Sequence, residues 1–176
     1  MYLEVKPILF SNLLEKKIFL LRNKLKDIIY QEKDMLAIKY DVEQYKIIFD
    51  DKMRDSMGKY KASFLIISDR QFAYITHKLL ESRFILANIK TLSLTTKKIV
   101  ASPDFFEDDY DKFSLDELNA FFTSNISERI IEIDLQRNTE QVSIKVNGVI
   151  SFSGVSNDEI NNILKLTREA YNDSQS

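Results

Sequence analysis

Residues 129–152, RIIEIDLQRNTEQVSIKVNGVISF, decide the fold class. Ile131, Ile133 and Leu135 alternate with Glu132, Asp134 and Gln136, and Val142, Ile144 and Val146 alternate with Ser143 and Lys145. Alternation at period two marks a strand with one buried and one polar face. Asn147-Gly148 is a hairpin signal, and parity selects its register. A two-residue loop pairs Val146 with Val149 and Ile144 with Ser151, which mixes polar and apolar groups on one face. A three-residue loop, Val146-Asn147-Gly148, pairs Ile144 with Ile150 and Val142 with Phe152. The second register is the consistent one. It places Gly148 at the left-handed position of a bulged turn.

Helices flank this meander. Ser156 with Glu159 and Ser114 with Glu117 have the capping-box spacing, in which each side chain reaches a free backbone N–H of the first turn. After Ser156, a stripe of Ile160, Ile163, Leu164, Thr167, Ala170 and Tyr171 predicts a final amphipathic helix. After Ser114, a short helix to about residue 122 is expected to bury Leu118, Phe121 and Phe122. Upstream, residues 62–68 (ASFLIIS) read as a buried strand, and Asp69 stands where an N-cap belongs. A helix over 70–83 follows, burying Phe72, Ile75, Leu79 and Leu80, and residues 92–101 read as a second strand.

The first third reads as helical. Pro7 precedes a run in which Leu14, Ile18, Leu21, Leu25 and Ile28 recur at helical steps, predicting one long helix over 9–32. Residues 35–57 read two ways. Ile38, Tyr40 and Val42 alternate like a strand, whereas Val42, Tyr45, Ile48, Phe49 and Met53 fit a helix over 41–57, with Gly58 as its left-handed cap. The expectation is an α+β fold with a long N-terminal helix, an antiparallel sheet ending in a C-terminal meander, and a final amphipathic helix packed on the sheet. A single domain over 1–176 accommodates it, with a helical region at 1–58, a mixed core at 59–171 and a frayed tail at 172–176.

Composition excludes several chemistries. The 176 residues include no cysteine, so disulfides, thiolate metal sites and cysteine nucleophiles are ruled out. The apolar run Ile18–Leu21 is too short to span a bilayer, and no secretory signal pattern stands at the start, so a cytoplasmic location is expected. Heavy use of Lys, Ile and Asn suits an AT-rich, bacterial, viral or mobile-element genome. Three glycines and two prolines argue against glycine-rich phosphate loops. No nucleotide, zinc, kinase or hydrolase motif is present, and no cofactor is expected.

Charge is sorted along the chain. Residues 1–102 carry 19 Lys/Arg against 12 Asp/Glu, net +7, while residues 103–176 carry 6 against 15, net −9. Such fields select partners more than they select folds. The acidic segment Asp104, Phe105, Phe106, Glu107, Asp108, Asp109, Tyr110 and Asp111 sets aromatic anchors among carboxylates, a pattern suited to protein docking. It lacks the oxygen spacing and central glycine of a calcium loop. The expected function is therefore protein–protein binding, of the inhibitor, immunity or adaptor type. One alternative is nucleic-acid association through Lys59, Lys61, Lys90, Lys97 and Lys98. Another is a cryptic metal-dependent enzyme built on Glu132, Asp134 and the acids of 104–111, with Lys145 on the same outer face as Glu132 and Asp134. The single histidine, His77, reads as a partly exposed surface residue. A homodimer through Leu14, Ile18, Leu21, Leu25 and Ile28 is the self-association that the helical stripe allows.

Overall fold

The first ten residues form a strand, not the approach to a helix. The computed structural model describes residues 2–93, 99–102, 114–124 and 128–173, with the backbone alone described for 99–102. Strand β1 (Tyr2–Phe10) is buried from Leu3 through Phe10, on both of its faces. Asn12 then accepts a hydrogen bond from the Glu15 amide and caps helix α1 (Leu13–Asn23). Lys24 enters the left-handed region at φ 45° and ends the helix. The expected helix over 9–32 is thus a strand and a helix of 11 residues, and Leu25 and Ile28 lie beyond its end.

Both readings of 35–57 hold in part. Strands β2 (Ile28–Gln31) and β3 (Met35–Tyr40) form a hairpin. A 3-10 turn (Val42–Gln44), helix α2 (Tyr45–Ile48) and helix α3 (Asp51–Lys59) follow, so the helical part is broken rather than continuous. Gly58 lies inside α3, and the left-handed residue after it is Lys61, at φ 48°.

Strand β4 (Ala62–Phe64) is shorter than the apolar run that suggested it. Helix α4 (Asp69–Glu81) is capped by Ser68 rather than Asp69: the Ser68 hydroxyl accepts from the Gln71 amide, and the Gln71 side chain accepts from the Ser68 amide. The expected strand at 92–101 is two antiparallel strands, β5 (Ile85–Ser93) and β6 (Ile99–Ser102). Helix α5 (Leu115–Thr123) starts at the Ser114 capping box and buries Leu118 and Phe122, while Phe121 faces outward. Strands β7 (Glu128–Arg137), β8 (Glu140–Lys145) and β9 (Ile150–Ser153) form the meander. Ile144 pairs with Ile150 and Val142 with Phe152, the register that parity selected. The Lys145 amide donates to the Val149 carbonyl, and Gly148 sits at φ 78°. Helix α6 (Asn157–Asp173) starts at Ser156 and buries Ile160, Ile163, Leu164, Thr167 and Ala170.

Among the described residues, nine strands form one antiparallel sheet in the order β2-β3-β1-β9-β8-β7-β5-β6, with β4 also pairing β1. Helices α4, α5 and α6 cover one face, where Phe72, Leu79, Leu118, Ile163 and Leu164 pack on Leu3, Val5, Ile133, Ile144 and Phe152. Among the described residues, the other face is covered only beside β1, β3 and β4, where Phe19 of α1 and Phe49, Met53 and Met57 pack on Ile8, Phe10, Leu36, Ile38 and Tyr40. No helix among the described residues is long and apolar enough to cross a membrane.

Strand β1 holds the sheet together. It pairs β3 along one edge, and along the other it pairs β9 over Tyr2–Val5 and β4 over Ile8–Phe10. Pro7 lies between these two neighbours, where its missing N–H faces the gap and breaks no ladder bond. The 146–148 loop closes that gap. Its Val146 carbonyl accepts from the Ile67 amide, and its Asn147 carbonyl accepts from the Lys6 ammonium. A Cβ on Gly148 would stand 2.2 Å from the Leu65 carbonyl oxygen. Gly148→Ala combines left-handed strain with that clash. It should destabilise the fold by at least about 2 kcal/mol in urea unfolding.

Candidate functional site

Two surfaces follow from this half-covered sheet. The first is the open part of its outer face. Pairing aligns two polar rows across the strands. One runs Glu4, Ser151, Ser143, Asp134, Asn88, and the other runs Lys145, Glu132, Lys90. Cross-strand neighbours of opposite charge stand side by side and interact directly.

The Lys90 ammonium is 2.7 Å from Glu132 Oε1 and 3.7 Å from Asp134 Oδ2. Asp134 also accepts from Asn88 Nδ2 at 3.0 Å and from the Ser143 hydroxyl at 2.5 Å. The hydrogen bond to Glu132 holds the Lys90 ammonium above its ordinary pKa. Lys145 shares the face with Glu132, as the alternation predicted, but its ammonium lies 3.8 Å from Glu4 Oε1. The Tyr2 hydroxyl donates to the same Glu4 oxygen at 2.9 Å, and the Ser151 hydroxyl reaches it at 3.4 Å. Burial, reinforced by Glu4, pushes the Tyr40 hydroxyl well above its ordinary pKa.

This surface is shallow, polar and internally neutralised. Its carboxylates already hold a cation, the Lys90 ammonium. No group of three or more metal-ligating side chains gathers among the described residues. Glu132 and Asp134 are therefore together, as the sequence indicated, but engaged.

Lys6 borders this face and differs from its neighbours. It is 3% exposed, its ammonium donates to the Asn147 carbonyl, and it lies 4.8 Å from the centre of the Phe64 ring. Burial pushes the Lys6 amine down to about 8. Burial thus disfavours the charged amine relative to an exposed lysine, while leaving it protonated at neutral pH.

The basic residues do not share one face. Lys90 is committed to Glu132 on β5, whereas Lys59 and Lys61 flank the end of α3, where Lys59 rests 5.6 Å from the Tyr60 ring centre. Strands β1 and β5 are separated by β9, β8 and β7, roughly 19 Å at one strand spacing each. Lys97, Lys98 and the segment Asp104–Asp111 lie outside the described residues. His77 is partly buried in α4, with Nδ1 3.9 Å from Glu81 Oε1.

The second surface is α1. Its inward face carries Lys16, Phe19 and Asn23. Phe19 is fully buried, with ring centres 5.1 Å from Phe10 and 6.3 Å from Tyr60. The Lys16 ammonium donates to the Glu32 carbonyl, and Asn23 Nδ2 donates to the Ser56 hydroxyl at 2.8 Å. Burial lowers the Lys16 pKa, while Asp34 and Glu32 partly restore it. At about 100° per residue, Leu14, Ile18 and Leu21 then fall within a narrow arc on the opposite side. Leu14 is 66% exposed and Leu21 79% exposed. The apolar stripe that the sequence offers to a core or a dimer seam thus points to solvent at Leu14 and Leu21, with Ile18 half-buried between them. Leu25 and Ile28 have left it.

No protein-family model, no curated protein and no solved structure matches this chain.

Two outcomes test the polar face. Lys6→Met should change the pH dependence of stability. The folded amine titrates near 8 and the unfolded one near 10.5, so the unfolded state binds more protons between these values. Wild-type stability should therefore rise from pH 8 to 9.5 by about 1–2 kcal/mol relative to Lys6→Met. Urea unfolding across that range measures it, and below the onset of tyrosine ionisation the comparison is clean. Lys90→Met should cost about 1 kcal/mol in low salt and less in 1 M salt, since a partly exposed pair is screened.

Proposed function

We propose that this chain is a protein-binding module whose docking element is the outward face of α1. The observation that carries this reading is the inversion of the helix. Its polar Lys16 and Asn23 are turned inward and bonded, and its Leu14, Ile18 and Leu21 are turned outward. Exposed apolar side chains are common singly, but an aligned stripe on a helix marks a surface that is covered in use. Helix-in-groove recognition reads such anchors at i, i+4 and i+7.

The same geometry favours protein docking over the nucleic-acid and metal-dependent alternatives. Lys90 is committed to carboxylates, and Lys59 and Lys61 are strand widths away from it. Glu132 and Asp134 are satisfied by Lys90, Asn88 and Ser143. Among the described residues, the α1 stripe joins exposure, apolar character and regular spacing.

The test is affinity capture from the cells that make this protein, with wild type and the double variant Leu14→Gln/Leu21→Gln compared in about 300 mM salt, where long-range charge attraction is screened. Both side chains are exposed, so circular dichroism and the unfolding midpoint should be unchanged in the variant. The expected result is a protein partner whose recovery falls at least about tenfold, the loss that about 1.4 kcal/mol of contact free energy corresponds to. Equal recovery by the two proteins would falsify the assignment to α1.

A further inference from the structure

Resting on the reading of α1 as a docking face, we infer that its partner is an acidic amphipathic protein segment. The argument begins with charge around the stripe. On the helix, Lys17 lies to one side of Leu14, Ile18 and Leu21 and Arg22 to the other, and Lys24 and Lys26 follow directly after the last turn. All four are exposed. None has a carboxylate within ion-pair distance among the described residues. Elsewhere Lys90, Lys145, Arg137 and Arg168 each hold one, while exposed cations such as Lys46, Lys52 and Lys61 do not; what sets the α1 cations apart is that they flank an exposed apolar ridge. The near acids lie off the ridge: Glu15 is half-buried at the start of the helix, Asp27 lies beyond its end, and Glu32 and Asp34 act on Lys16 on the inner face.

An apolar ridge with a cation on each side specifies its complement. Leu14 to Leu21 spans about 10 Å, two helical turns, so two or three apolar side chains at helical spacing cover it. Carboxylates on either side of those anchors would meet Lys17 and Arg22, which steers the approach and fixes the register. Other occupants fit less well. A second copy docked symmetrically through α1 would bring Lys17 and Arg22 against their like. A phosphate backbone would meet the cations but leave Leu14 and Leu21 uncovered. An anionic bilayer offers both chemistries, but α1 is short and its inner face is fixed to the sheet by Phe19, so only one narrow ridge is free to insert.

The experiment is a display selection of random peptides on the full-length protein, with Leu14→Gln/Leu21→Gln as the counter-selecting bait. The selected peptide is then titrated by fluorescence anisotropy at about 50 and 300 mM salt, a range over which exposed charges become screened. The expected binders carry Asp or Glu beside Leu, Ile or Phe at helical spacing. Their affinity should fall at least about tenfold on Lys17→Glu/Arg22→Glu and several-fold with salt. Binders that depend on α1 but are neutral or basic overturn this inference and leave the docking role of α1 standing. If no binder depends on α1, both fail. Sedimentation of the protein with phosphatidylserine vesicles, or a concentration-dependent dimer, overturns the inference in favour of a membrane or a second copy where Leu14→Gln/Leu21→Gln abolishes it.

Discussion

Strand β1 carries a constraint on which every other element depends. Among the described residues it is the one strand with three partners, and its second edge is divided between β9 and β4 at Pro7. A central strand with a gap in its ladder would leave polar backbone groups buried and unpaired, at about 1–3 kcal/mol each. The chain resolves this in three ways. Proline removes the one N–H that would face the gap. The Leu65 amide reaches the Pro7 carbonyl at 3.3 Å. The Lys6 ammonium and the Ile67 amide bind the carbonyls of the 146–148 loop across the opening. That loop fits only because Gly148 has no side chain to meet Leu65. The hairpin turn is thus a tertiary contact as much as a local one, and it ties the C-terminal meander to the first strand of the chain.

The half-covered outer face follows from the same arrangement. Helices α1 to α3 come between β1, β3 and β4 in sequence, so they cap that end of the sheet and cannot extend over β5 and β7. The exposed remainder must be polar, and it is built from opposite charges in cross-strand register. These interactions are individually modest in partly exposed positions. Their effect is to give each carboxylate of the face a nearby cation. Lys145 satisfies Glu4, Lys90 satisfies Glu132 and Asp134, and no strong attraction is left for an anion or a cation. Around α1, by contrast, Lys17, Arg22, Lys24 and Lys26 have no carboxylate within ion-pair distance among the described residues.

What was legible in the sequence follows physical scale. Where one face of a strand is polar, alternation reveals it, and parity then fixes register; hence Ile144 opposite Ile150. Capping chemistry is equally local, and Ser114 and Ser156 start helices as their spacing requires. Ser68 carried the same signal through Gln71, although Asp69 beside it drew the assignment. Strand β1 was hidden because both its faces are buried, which erases alternation, and because Pro7 resembles a helix start. Of the polar face, Glu132, Asp134 and Lys145 were visible as outward positions. The arrival of Glu4 and Lys90 depends on pairing between strands far apart in sequence, which periodicity does not encode.

Helix α1 shows why periodicity finds a stripe without finding its direction. A helical pattern states that Leu14, Ile18 and Leu21 lie together; it does not state what they face. Direction was decided by the other side. Burying Phe19 contributes about 1.5–3 kcal/mol, and Lys16 and Asn23 satisfy a carbonyl and a hydroxyl that would otherwise be left bare. Turning the helix by half a revolution would bury the leucines but expose Phe19 and orphan the Glu32 carbonyl and the Ser56 hydroxyl. Each leucine left in solvent forgoes a similar 1.5–3 kcal/mol. On the proposed docking of α1, that free energy is recovered when a partner covers the ridge, so the orientation that best serves the fold is also the one that leaves an apolar ridge available for contact.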